Sequence, residues 1–364
     1  MKRTSILILL TALVLATVKA QTTFSVMTLN VDGLPGKLFG FDVNKDGPQA
    51  DGSLLISQYI AAQNCDIVSM QECFNYPLEI WSHLFSDFHH DEWTGGIDLV
   101  THPLDFFHLQ NERFPCDGLN TAWKSSIAST AYERVPHEKS FGKFSHAFDD
   151  IITKGFRRHE FTLSDGTEIV VYNTHFDASS DRDENVGNDT KDREARLAQW
   201  QQLRTHVLEH LDSRPVILTG DFNSYYNRDD VVGAFIKPIE DSGLATVGDA
   251  WQELNRSSRY PSVGDEKDDE EMLDKVLYVN PVGGTQLKPV SATVDKDGYL
   301  YDGKPLGDHY PLIVSFAVAD DGHATGIRTV SLTDDAQRYD LLGRPVVKKA
   351  RKGIYVVKNK KITE

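Results

Sequence analysis

Val216-Ile217-Leu218-Thr219-Gly220-Asp221-Phe222-Asn223-Ser224 decides how this chain is read. Three apolar residues spell a buried strand. A glycine follows, then an acid and an amide two positions apart. Alternate residues of an extended chain point the same way, so Asp221 and Asn223 can share one face at the strand's end. Gly220 lets the backbone bend and lets a ligand approach closely. A carboxylate beside an amide suits a polar site for water, metal or phosphate. An Asx turn closing the strand is the competing reading of the same residues.

Working outward, the same placement recurs. Thr23 to Asn30 alternates as a strand and ends in Asn30; Asp66 to Glu72 ends in Glu72. Glu168 to Asn173 runs into Thr174-His175, and Met272 to Val279 carries Asp274 near its start. Asp308-His309 precedes a strand over Leu312 to Val318. Ile97 to Val100 and Ile127 to Thr130 are further expected strands. A helix is expected over Ser53 to Asn64 with an apolar face at Leu54, Leu55, Tyr59 and Ile60, and another over Ala195 to Leu211. The charged tracts Asp181 to Glu194 and Asp265 to Glu271 read as loops; the second lacks the spaced glycine of a calcium loop. One polar strand end is ordinary turn chemistry. Six, in a two-layer β sandwich, can converge on one rim.

The 364 residues allow one large domain or two modest ones, and 40% hydrophobic with 25% charged residues is the balance of a globular protein. A net charge of −16 disfavours broad binding of polyanions. Lys2 and Arg3 precede an apolar run from Ile6 to about Thr17, and Val18-Lys19-Ala20 offers small residues for cleavage, so residues 1–20 read as a signal peptide with Gln21 first in the mature chain. Export permits disulfides, but there are three cysteines. Cys65 and Cys73 flank one strand, roughly 26 Å apart at ~3.3 Å per residue, too far to bridge. A Cys73–Cys116 bridge and free thiols are the two outcomes, the bridge slightly preferred. Residues 21–319 read as the catalytic domain. From 320 a linker leads into a tail in which Gly326 to Glu364 holds ten Lys or Arg against four Asp or Glu. Arg328 to Leu332, Arg338 to Leu342 and Ile354 to Lys358 are its expected strands. Asp340-Leu341-Leu342-Gly343-Arg344 and Lys352-Gly353-Ile354-Tyr355 resemble the small C-terminal β tail of many exported Bacteroidetes proteins.

The ordered set Leu29-Asn30, Gln71-Glu72, Thr174-His175, Gly220-Asp221-Phe222-Asn223, Leu273-Asp274-Lys275 and Asp308-His309-Tyr310-Pro311 resembles the endonuclease/exonuclease/phosphatase superfamily. The likeness runs from about Phe24 to Val318. It implies an α/β fold: a four-layer α/β sandwich of two facing mixed sheets with outer helices, deoxyribonuclease-like, followed by the short β tail. It implies hydrolysis of a phosphoric ester with Mg2+ or another divalent cation. Carried across, Glu72 is the main metal ligand, and Asn30 and Asp308 complete the metal and water shell. Asp221 and Asn223 position water and phosphate, His309 is the general base oriented by Asp274, and His175 stabilises charge on the phosphoryl oxygens. The residue types suit those parts: magnesium takes a few carboxylate oxygens and keeps waters, and a histidine near pKa 6.5 takes a proton at neutral pH. Gly307 departs from the serine usual before Asp-His.

Two histidines resemble the deoxyribonuclease and bacterial neutral sphingomyelinase branches. Asn30-Val31-Asp32-Gly33-Leu34-Pro35 and Lys154-Gly155-Phe156 look more like the sphingomyelinase type, and the net acidity leans away from nucleic acid. The expectation is an exported, monomeric phosphodiesterase acting on sphingomyelin or a related phospholipid with transient membrane contact, and periplasmic, cell-surface or secreted. A secreted nuclease, with nucleic acid as substrate, is the alternative; a non-catalytic binding protein on the same fold is the remote one. Leu38-Phe39-Gly40-Phe41 and Tyr299-Leu300-Tyr301 are the candidate loops for a bilayer, with packed loop aromatics the favoured reading of each.

Overall fold

A computed structural model describes residues 22–38, 41–42, 44–94, 116–142, 149, 152–178, 190–226, 229–256, 272–319, 338–339, 345–346, 354–357 and 360–363. The expected strand Ile97 to Val100, the acidic run Asp265 to Glu271, the signal peptide and the strand Arg328 to Leu332 lie outside them. In chain order the elements are β1 (Thr23–Asn30), β2 (Lys37–Leu38), β3 (Phe41–Asp42), α1 (Gln49–Gln63), β4 (Ile67–Gln71) and α2 (Pro77–Trp81). Next come β5 (Phe88–His90), β6 (Asn120–Lys124), β7 (Ala128–Pro136), β8 (Gly155–Thr162), β9 (Glu168–His175), α3 (Thr190–Glu209) and β10 (Val216–Asp221). A π-helical turn (Val232–Ile236), α4 (Lys237–Asp241), β11 (Ala245–Asp249), α5 (Ala250–Asn255), β12 (Asp274–Pro281), β13 (Gln286–Val294), β14 (Leu300–Tyr301), β15 (Lys304–Pro305) and β16 (Leu312–Ala319) complete this part.

Two six-stranded sheets carry the fold, in the orders β13-β16-β1-β4-β6-β5 and β11-β12-β10-β9-β8-β7. Both are mixed: β1 is parallel to β4 and antiparallel to β16, and β10 is parallel to β9 and antiparallel to β12. Strand alternation divides the core. Val26, Ile67, Val171, Ile217 and Val276 pack in one cluster. Their neighbours Met27 and Val68 join Ile56 and Ile60 of α1, while Tyr172 and Leu218 join Trp200 and Leu203 of α3. Helix, sheet, sheet, helix is the expected four-layer α/β sandwich.

Helix boundaries differ from the sequence reading. α3 begins at Thr190, inside the tract expected to be loop. Its charges hid it: Asp192 is buried, and Arg196 Nε lies 2.8 Å from buried Asp229, so part of the inward face is ionic. α1 begins at Gln49 and ends at the left-handed cap Asn64. Its inward row is Ser53, Ile56, Ser57 and Ile60, and Leu54 faces outward. The expected Cys73–Cys116 bridge is absent, because Cys73 packs with Val31 and Met70 while Cys116 packs with Phe74 and Ile152. Burial pushes the Cys65 thiol up to about 11 and that of Cys73 to about 12, so both stay protonated.

Chain contacts separate Met1–Asp321 from Gly322–Glu364. The second unit contains β17 (Arg338–Tyr339), β18 (Pro345–Val346), β19 (Ile354–Val357) and β20 (Lys360–Thr363), paired in the order β18-β17-β19-β20. Among the described residues no helix is long and apolar enough to cross a membrane.

Candidate active site

Between the sheets, alternate residues change character along each strand. Val26, Thr28 and Asn30 form one row; Ile67, Ser69 and Gln71 form another. Val171, Asn173 and His175 form the third, and Ile217, Thr219 and Asp221 the fourth. Each runs from apolar, through hydroxyl or amide, to a polar end. The middle level is tied across the sheets: Thr219 Oγ1 donates to Ser69 Oγ at 2.7 Å, and Gln71 Nε2 to Asn173 Oδ1 at 2.7 Å. Polar groups buried this deep need such partners. Above them lies the rim.

Register brings the rim together. Asp221 of β10 stands level with His175 of β9 and Asp274 of β12. Asp221 Oδ2 lies 3.5 Å from His175 Nε2 and 3.7 Å from His309 Nε2, and it accepts from Asn30 Nδ2 at 3.2 Å. His309 Nδ1 pairs with Asp274 Oδ2 at 2.6 Å. Burial alone would raise the Asp221 carboxyl, but the positive charges of His309 and Lys154 hold it below its ordinary range. Burial raises Asp274 and opposes charge on His309, yet Asp274 and Asp221 hold that imidazole well above its usual pKa. The imidazole and the two carboxylates therefore form one electrostatically coupled unit.

Glu72 lies one residue beyond β4, with φ 54°. Asn30 Nδ2 donates to its Oε1 at 3.0 Å while Asn30 Oδ1 accepts from the Asp32 N–H at 3.0 Å. Asn30 thus enters as a donor tying Glu72 to Asp221, where the sequence reading had it completing the metal shell. Asp308 is exposed, and its charge reaches Glu72 and Asp32. Burial, Asp308 and Glu72 push the Asp32 carboxyl up to about 7; burial and Asp308 raise Glu72 too. Acids that raise one another in this way suit a divalent cation. Beside them Asp221, Asp274 and His309 each offer one ligand atom within 4.8 Å of the other two, a further group of donors at the rim.

Asn223 combines both readings of the opening stretch. Its N–H donates to Asp221 Oδ1 at 3.0 Å, an Asx turn, with φ 47°, and its Nδ2 donates to Phe176 O at 3.2 Å. Phe222, between them, stacks on Trp200 at 4.6 Å, and Trp200 Nε1 donates to Ser224 Oγ at 3.0 Å. Gly220 is explained by strand approach rather than a ligand: at φ 153° an added Cβ would lie 2.1 Å from Thr174 O. Gly307 has room for a side chain, its nearest neighbours being Tyr299 Oη at 3.4 Å and Asp32 Cβ at 3.5 Å.

Lys154 received no role from sequence. It is buried, forms an ion pair with Asp149 at 2.5 Å, and places Nζ 3.1 Å from both His175 Nε2 and Phe176 O. Burial and the lysine charge press the His175 pKa well below its usual value, so the positive charges beside Asp221 are those of His309 and Lys154, not of His175. Its placement before Gly155 at the head of a strand was the available signal. Asp32 and Asp149 were missed for a similar reason, since turns bring them in. Of the candidate loop Tyr299-Leu300-Tyr301, Tyr299 is packed in the core, whereas Tyr301 is 56% exposed. Phe39 lies outside the described residues, as does the side chain of Phe41.

Residues 27–281 match the Endonuclease/Exonuclease/phosphatase family. The sphingomyelinase of Mycobacterium tuberculosis is 30% identical over 208 residues, 55% of this chain and 36% of that protein. The chain thus spans little more than a third of the curated relatives it matches. The Bacteroides vulgatus endonuclease/exonuclease/phosphatase superposes with a TM-score of 0.53 at 17% identity, over 82% of this chain and 100% of the other. D. rerio TDP2 complexed with a single-strand DNA product gives 0.53 at 15%, over 81% and 99%. With the family matched over residues 27–281, seven-tenths of the sequence, the chain belongs to the endonuclease/exonuclease/phosphatase family.

Proposed function

We propose that this chain is an exported, metal-dependent phosphodiesterase that releases phosphocholine from sphingomyelin or a closely related phospholipid. The observation that carries the chemistry is His309, held by Asp274 at 2.6 Å and facing Asp221 across the acidic rim. Glu72, Asp308 and Asp32 would hold the cation. When bound, the cation supplies positive charge that polarises a phosphoryl oxygen and draws the raised His309 toward its neutral form. His309 Nε2 then takes the proton of the attacking water as its oxygen bonds to phosphorus, Asp274 steadies the imidazolium, and the P–O bond to the lipid alkoxide breaks, with solvent protonating that departing oxygen. Lys154 supplies fixed positive charge beside Asp221, and Asn30 keeps Glu72 and Asp221 in place.

The lipid reading is supported by the sphingomyelinase relative, 30% identical over 208 residues, and by a net charge of −16, which disfavours a polyanion overall. The fold shared with a DNA-complexed protein favours the nuclease as second reading. The purified chain with Mg2+, offered sphingomyelin, a lysophospholipid, plasmid DNA and an inositol phosphate in parallel, separates them. Phosphocholine release that is abolished by chelator and nearly abolished by Glu72→Gln is expected. DNA cleavage without phosphocholine release overturns the lipid reading, and full activity in excess chelator overturns metal dependence.

A further inference from the structure

A second group of ligand-type side chains lies apart from the rim residues. Edge strand β7 contributes Glu133, and the end of α3 contributes His206 and His210, one helical turn apart. One ligand atom from each lies within 4.8 Å of the other two. The two imidazoles stack with centroids 4.2 Å apart and 22° between planes.

Both rings are pinned through Nδ1. His210 Nδ1 lies 2.9 Å from His206 O, a carbonyl that can only accept, so Nδ1 carries the proton and Nε2 keeps its lone pair. His206 Nδ1 is held by Tyr172 Oη at 3.0 Å. Its Nε2 is sealed from solvent and lies 3.3 Å from Glu133 Oε2. Rings fixed through one nitrogen with the other turned inward are how metal-binding histidines are oriented. The neighbouring cation, Arg158, is engaged by Glu160 at 2.5 Å.

We propose that Glu133, His206 and His210 form a zinc-type site that clips β7 to α3. Two imidazoles and one carboxylate favour Zn2+ over Mg2+, the reverse of the oxygen-rich rim. Bond lengths of about 2.0–2.2 Å require the donor atoms to close in by roughly an ångström. The side chain of Glu133 is 45% exposed and His210 is exposed, so both can move, and a water can take the fourth position. The ion would join residues far apart in sequence and brace the sheet's outermost strand.

The test uses the full chain with saturating Mg2+ to occupy the rim. Titration with Co2+ should give one equivalent bound with the visible bands of a four-coordinate nitrogen-containing site, and Zn2+ should displace it and raise the melting temperature. His210→Ala and Glu133→Gln, both at exposed positions, should weaken Zn2+ binding by about tenfold or more, while Glu72→Gln leaves it unchanged. No uptake under saturating Mg2+, or equal uptake by wild type and His210→Ala, overturns the proposal.

Discussion

Asp221 answers to three strands at once, and its neighbours show how residue type and position combine. The sequence marked it because alternation puts strand ends on view. It could not mark Lys154 or Asp32, whose importance comes from a buried partner and from a turn. Glu72, Asp32 and Asn223 all take positive φ, at 54°, 49° and 47°, which non-glycine residues adopt only when their surroundings hold them there. Two expectations belong to this scale. His309→Ala and Asp274→Asn should each reduce turnover of a soluble phosphodiester by ~10²–10⁴-fold. Because the pair acts as one unit, the double variant should be little slower than His309→Ala; fully multiplicative losses in kcat would contradict this. Lys154→Met would leave Asp149 buried with no counter-ion, which should cost ~3–5 kcal/mol in urea unfolding. Adding Asp149→Asn should recover most of that loss, and no recovery would show that the two are not a pair.

At the scale of elements, strands were legible and helices less so. A period of two survives even when the inner row turns polar, so β1, β9, β10 and β16 fall where expected. Helical periodicity was obscured where the inward face carries charge, as at Arg196 against Asp229 on α3. Between β8 and the turn before β10, Glu160 accepts from Arg214 Nη1 at 2.6 Å and from Arg158 Nη2 at 2.5 Å. The hydrogen bond from Arg214, then that from Arg158, lower the Glu160 pKa from 4.5 to about 2. A carboxyl depressed on folding stabilises above its unfolded pKa and loses that contribution as pH falls toward the folded value. Wild type should therefore exceed Glu160→Gln in urea midpoint by its full margin above pH 4.5, the margin shrinking as pH drops toward 2. A constant margin across that range would remove the ion cluster as its source.

On the scale of the whole molecule, the family likeness and the four layers were both readable, since six polar strand ends in a fixed order leave few arrangements. The packing of the cysteines was not, because a bridge depends on which cluster each thiol faces. The basic tail Gly322–Glu364 is a separate unit by its chain contacts, and we propose that it serves export or surface retention. Truncation after Asp320 should leave kcat/KM unchanged and alter where the protein accumulates on fractionating the producing cells. A large loss of turnover in folded, truncated protein would assign the tail a part in catalysis.

The graded slab between the sheets has an electrical consequence. Its lower half is buried hydrocarbon, a low-dielectric wall that screens little of what lies above. Field lines from Glu72, Asp32, Asp308 and Asp221 are therefore turned back and leave through the open edge, into solvent around a chain of net charge −16. Such a mouth concentrates cations ahead of the reaction and repels the anionic half of a cleaved ester afterwards. Raising the ionic strength weakens both effects together.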